Sequence, residues 1–233
     1  MDFKENIELL VKELEKSDEN LLIIKEKSFK FSDALKFICE EIENKIGDKT
    51  NNNIDFYGFL YHQGTPMVKN HTDNEDLRLS TKVSCQIIYL SDLYKNDPYF
   101  WVFQMSHELV HIFLSLKDNK LESANDNPTV LEEGLASYIS SLIYNKFFKI
   151  MSLGEYPNIV NKDYAYDKAE QIFKEMLLLN NNDISFVKKI RKNNPSLKKL
   201  NKKDFNNVLY SEKLLEECLD DFQLKFNRVP GTY

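Results

Sequence analysis

Between Pro98 and Leu116 the chain is almost wholly apolar, and the run is broken most sharply at His107, Glu108 and His111. Val102, Met105, Leu109, Ile112 and Leu116 fall on one helical stripe, which predicts a buried helix over Tyr99 to Leu116. Such a helix accepts a carboxylate only where something answers its charge, because an unpaired ion taken out of water is strongly disfavoured. Whatever packs round this segment must therefore satisfy Glu108 and two imidazoles. That demand narrows the folds open to the chain more than its length does.

His107-Glu108-Leu109-Val110-His111 is an HExxH pattern holding two of only four histidines. Helix positions four apart differ by about 40° in azimuth, so both imidazoles leave one face about a turn apart. That spacing lets both nitrogens reach one zinc ion at ~2.0–2.1 Å. Glu108 lies about 100° round the helix from His107, badly placed to ligate and well placed to take a proton from an activated water. A catalytic zinc has three protein ligands and one open position, so a third ligand is needed from elsewhere. Downstream, Val130-Leu131-Glu132-Glu133-Gly134-Leu135-Ala136 places two glutamates in the first turn of a predicted helix. Thr129 and Glu132 fit a capping box, which gives Glu132 a local task. Glu133 has none, and Gly134 after it would permit close packing against the first helix.

These residues resemble the gluzincin zinc metallopeptidases, in which an HExxH is followed by a helical glutamate. Glu132-Glu133-Gly134-Leu135-Ala136 is similar to the Asn-Glu-Gly-Phe-Ala segment of gluzincin aminopeptidases. The resemblance covers roughly Val83 to Leu179 and implies zinc ligands His107, His111 and Glu133, with Glu108 as general base. Tyr164-Ala165-Tyr166-Asp167-Lys168 resembles a Tyr-Glu-Lys-Gly segment of the same enzymes, which implies that Tyr166 stabilises the oxyanion, with Tyr164 as its understudy. Read as an ordinary helix residue, Tyr166 packs beside Ile172 and Phe173. Ser137 stands where thermolysin-like enzymes carry an aspartate behind a zinc-binding histidine, so its hydroxyl is a candidate partner of His107. No counterpart of the aminopeptidases' Gly-x-Met-Glu-Asn segment is present, which favours an endopeptidase over an aminopeptidase.

The expected fold is α+β and zincin-like: an N-terminal α/β lobe with a small sheet, the active-site helix, and a helical C-terminal lobe. The division falls at residues 1–117 and 118–233, forming one catalytic unit. Helices are predicted over Phe3–Leu14, Phe31–Ile46 (stopped by Gly47), Thr129–Phe148, Asp163–Leu179 and Ser211–Leu224, with shorter helical pieces between Ile184 and Tyr210. Strands are predicted over Leu21–Ile24, Asn53–His62 and Lys82–Leu90, with a turn at Gly64-Thr65-Pro66 and a loop over Asn70–Asp76. Val83–Leu90 is either a cleft-edge strand able to pair an extended peptide or an interior strand.

Other classes are excluded by composition. The 233 residues are 42% apolar with a net charge of −6, enough for a substantial core and without a field that draws nucleic acid or lipid. Cys39, Cys85 and Cys218 contain no CxxC, which excludes a thiolate zinc site and suits a reducing compartment. No phosphate-binding glycine motif occurs, and neither a secretory leader nor a membrane span is expected, so the location read is cytoplasmic. The lysines of Lys188–Lys203 and Arg191 read as a solvated helical surface, and His62 and His71 as structural or exposed.

The function expected is a Zn²⁺-dependent metallopeptidase acting on a peptide or protein substrate. Two alternatives stand beside it: a regulatory peptidase specific for one partner protein, and a non-catalytic interaction module in which zinc staples helices.

Overall fold

A two-stranded antiparallel ribbon comes first, with β1 (Leu21–Ile24) paired to β2 (Lys27–Lys30) and Leu21 opposite Lys30. It runs straight into α1 (Phe31–Ile46). Gly47 ends that helix at φ +86°, and its N–H donates to the Glu43 carbonyl at 2.8 Å. This is the left-handed cap that glycine adopts without a Cβ penalty. The computed structural model describes residues 21–24, 27–47, 55–63, 66–71, 85–94, 97–114, 128–150 and 164–222. The helix expected over Phe3–Leu14 and the loop after His71 lie outside them.

The second sheet has the order β3 (Asp55–His62), β5 (Cys85–Ser91), β4 (Met67–His71). β3 runs parallel to β5, with Tyr61 opposite Leu90, and β4 runs antiparallel, with Val68 opposite Ile88. β5 is therefore the central strand, paired on both sides, and it offers no free edge to a peptide. Ile88 and Leu90, two apart on one face, are fully buried, as a central strand over a core requires. β4 follows the expected turn at Gly64-Thr65-Pro66 and takes in Asn70 and His71, the start of the expected loop. Its partner strand imposes the extended state, since strand preference depends on context more than on the residues themselves. His62 and His71 pair with Ser91 and Cys85, at opposite ends of β5.

After a 3-10 turn (Asp92–Tyr94) the apolar segment folds as α2 (Pro98–Leu114). Asp97 caps it, its Oδ1 accepting from the N–H groups of Tyr99 at 2.9 Å and Phe100 at 3.2 Å. Pro98 takes the first helical position, where a missing N–H leaves nothing unpaired. The prediction of one apolar stripe understates this helix. Of its 17 residues, 13 are buried, Glu108 among them, so neighbours surround it instead of covering one face.

The rest of the described chain is helical: α3 (Val130–Ile150), α4 (Tyr164–Leu179), α5 (Ser185–Asn193), a 3-10 turn (Lys202–Phe205) and α6 (Glu212–Leu219). α3 lies against α2 on one side and α4 on the other, and α1 packs on α2, α3 and α5. Rings join the layers: Phe37 of α1 meets Phe147 of α3 at 5.6 Å, and Tyr99 of α2 meets Phe148 at 5.0 Å. No described helix is long and apolar enough to cross a membrane.

Lys188, Lys189, Lys192, Lys199, Lys202 and Lys203 are exposed, but Arg191 departs from the solvated-surface reading. Its guanidinium donates to the carbonyls of Ile46 at the end of α1, Phe113 near the end of α2 (3.4 Å) and Pro195 (3.2 Å). Carbonyls at a helix C-terminus lack intrahelical donors and carry its negative pole, so one forked cation ties two helix ends to α5. Replacing Arg191 by Met should destabilise the fold by about 1–3 kcal/mol. Lys at this position should recover only part of that, because an ammonium cannot span three divergent carbonyls. Urea midpoints of the three proteins check this.

Candidate metal centre

Where α2 crosses the first turn of α3, three donor atoms converge. His107 Nε2 lies 3.1 Å from Glu133 Oε2 and 3.3 Å from His111 Nε2, and His111 Nε2 lies 3.6 Å from Glu133 Oε2. All three fall within 4.8 Å of one another, a group that could hold a metal ion. Donors at ~2.0–2.1 Å from a tetrahedral ion stand ~3.3 Å apart, so this triangle has the size of one face of a coordination tetrahedron. The side chains of His107, Glu133 and His111 are 9%, 7% and 15% exposed, which leaves the His111 corner nearest to solvent.

Burial by itself would drive the charge off His111 and off Glu133. Their mutual attraction wins: Glu133, together with hydrogen bonds to Glu132 and Glu133, holds the His111 pKa well above the ordinary histidine value. Glu133, beside His111 and His107, is held far below the usual carboxylate range. The pocket thus favours positive charge, and a cation at Nε2 would take the place of the proton that these carboxylates favour on His111.

Glu132 is the site residue that the sequence reading missed. Its Oε1 accepts a hydrogen bond from His111 Nδ1 at 2.8 Å, the side of the ring away from the triangle. With Nδ1–H given to Glu132, a neutral His111 directs its Nε2 lone pair toward Glu133 and His107. A carboxylate behind a ligating imidazole fixes its tautomer and raises its basicity. The capping box is only half formed: Thr129 Oγ1 accepts from the Glu132 N–H at 3.2 Å, while the Glu132 carboxylate has gone to His111. The usable signal was the pair of adjacent glutamates, about 100° apart on the helix, able to serve the two nitrogens of one imidazole.

Tyr166, in the first turn of α4, stands edge-on to His107 with ring centroids 5.4 Å apart and planes at 90°. The Tyr164 side chain lies outside the described residues. Glu108 is buried on α2 directly after His107, and Ser137 is buried on α3 one turn beyond Glu133. The role expected of Gly134 is corrected. A Cβ there would lie 2.3 Å from the Ala169 carbonyl oxygen and 2.9 Å from Phe173 Cβ, so the glycine admits α4, not the HExxH helix. Ala169 is one turn beyond Tyr166, and this backbone approach sets how closely Tyr166 can stand to His107.

Comparison of the chain with protein-family models, curated proteins and solved structures returns no match in any of the three. The centre rests on its own geometry.

Two outcomes follow from that geometry. Glu132→Gln should keep the fold and weaken metal binding roughly 10- to 100-fold, read by titration against a chelating indicator. Gly134→Ala should destabilise the protein by about 1–3 kcal/mol or more, since the clash is with backbone and no rotamer relieves it; thermal melts check this.

Proposed function

We propose that the chain is a zinc-dependent peptidase of gluzincin type on a zincin-like scaffold, cutting within peptide or protein chains. The observation that carries the reading is the His107–His111–Glu133 triangle with the Glu108 carboxylate on the adjoining residue of the same buried helix. Two imidazoles and one carboxylate suit a borderline metal such as zinc, and three protein donors are the number found in catalytic zinc sites. Zinc held there supplies Lewis acidity toward a carbonyl oxygen and lowers the pKa of water.

The chain's own groups do the rest. Glu108 accepts a proton from the attacking water on its carboxylate and passes it to the leaving amine nitrogen. Tyr166, braced against His107, donates its phenolic O–H to the oxygen that gains charge in the tetrahedral intermediate. Glu132 keeps the His111 ring turned so that Nε2 faces His107 and Glu133, the residues that would hold the ion with it. The apolar walls of α2 and α3 limit bulk water, which strengthens each of these electrostatic effects. Low cysteine use, with no CxxC, fits a cytoplasmic setting.

Glu108→Gln should abolish hydrolysis of a fluorogenic peptide mixture, a loss of ~10²-fold or more, with zinc content unchanged. His107→Ala should lose the zinc itself. Activity surviving in Glu108→Gln overturns the mechanism, and unchanged zinc in His107→Ala overturns the site. Because the donors join α2 to α3, chelation separates the enzyme from a zinc-stapled module: an enzyme loses activity and stays folded, while a module unfolds.

A further inference from the structure

The chain leaving α6 returns to the residues just ahead of the turn that bears Glu132 and Glu133. The Asp220 carbonyl accepts from the Val130 N–H at 3.0 Å, and the Phe222 N–H donates to the Pro128 carbonyl at 3.0 Å. Thr129 and Asp221 thereby form an isolated antiparallel bridge immediately ahead of the turn that bears Glu132 and Glu133. Thr129 is anchored a second time, its Oγ1 donating to the Leu197 carbonyl at 2.9 Å while accepting from the Glu132 N–H. Leu197 is buried with φ +56°, a left-handed conformation that costs a leucine energy and aims its carbonyl at Thr129. With its backbone held this way, Phe222 is 1% exposed and sets its ring 5.1 Å from that of Tyr166, tilted by 34°. Tyr166 is thus flanked by His107 and Phe222.

We propose that Phe222 is a positioning residue for the metal centre: it holds the Tyr166 ring against His107 and so fixes the reach of the phenol. The proposal rests on the reading of Tyr166 as the group that meets the oxyanion. Close approach at Gly134 sets the α4 backbone, but a tyrosine in a first helical turn still has two side-chain torsions to be fixed. A fully buried ring on its flank restricts them. Phe222 hangs from the same bridge that holds Pro128 to Val130, so Tyr166 and the Glu132–Glu133 turn take their positions from one three-residue segment. A displacement of that segment shifts the ligand, the imidazole support and the phenol together.

The first arm of the test uses the unmutated protein. Cross-relaxation in NMR should link Phe222 ring protons to Tyr166 and Tyr166 ring protons to His107, and the Val130 and Phe222 amides should exchange slowly. Absence of these links overturns the proposal, and this arm decides even if a variant fails to fold. The second arm uses Phe222→Leu, which keeps an apolar filler and removes the flat ring. The His107 ring-proton shifts should move, zinc should be retained, and kcat should fall roughly 10- to 100-fold with KM little changed. A folded Phe222→Leu with unaltered His107 shifts and unaltered kcat overturns the proposal. If the unmutated protein hydrolyses nothing while those shifts still move in the variant, the peptidase reading fails and the positioning contact stands.

Discussion

Ionisable side chains buried where two helices cross are the constraint that the remaining architecture serves. His107, Glu108, Glu132 and Glu133 are all buried, the first two on α2 and the other two in the first turn of α3. A lone charge in that setting would be strongly destabilising, whereas a group whose members answer one another is tolerated. His111 is gripped from both sides, Glu132 on Nδ1 and Glu133 near Nε2, which balances part of the charge before any ion enters. Such a group is stable only at short separations, so the crossing of α2 and α3 is fixed within narrow limits.

Backbone devices enforce those limits. Gly134 admits the Ala169 carbonyl and brings α4 down onto α3, which delivers Tyr166 to His107. Arg191 binds the carbonyl ends of α1 and α2 to α5. Late segments of the chain thus govern the placement of early ones. The element order, with the strands ahead of α2 and only helical elements after it among the described residues, is that of an α+β chain. It says less about the energetics, because each α2 donor depends on residues from the second half.

The elements legible from sequence were those whose signals are local. α1 runs from Phe31 to Ile46 and stops at Gly47 because apolar spacing and a glycine cap both act within a few residues. The HExxH spacing is equally local, and Glu133 stood out as a glutamate with no local task. What was not legible depends on partners distant in sequence. β4 exists because β5 pairs with it, and the central place of β5 is set by strands on both flanks. Gly134 was assigned the wrong neighbour because one glycine signals a close approach without naming what approaches. Glu132 was misread because Thr129-x-x-Glu132 supplied a sufficient local explanation, and only the tertiary position of His111 shows where the carboxylate goes.

Glu132 and Glu133 also show why the register of α3 matters as much as its presence. Adjacent helix positions point about 100° apart, and here the two carboxylates lie beside the two different nitrogens of the His111 imidazole. Rotating α3 by one residue would swing Glu133 out of the triangle and remove Glu132 from Nδ1 in the same motion. Hydrophobic packing alone fixes such a phase weakly, since α3 is buried on several faces and a rotated helix would still bury apolar residues. Direction-dependent bonds fix it better. Thr129 at the cap, the bridge to Asp221 and the carbonyl of Leu197 are all hydrogen-bonded to the first turn or to residues just before it. The N-terminus of α3 is therefore where the fold sets the geometry of the His107–His111–Glu133 group, and the residues after α6 are part of that setting.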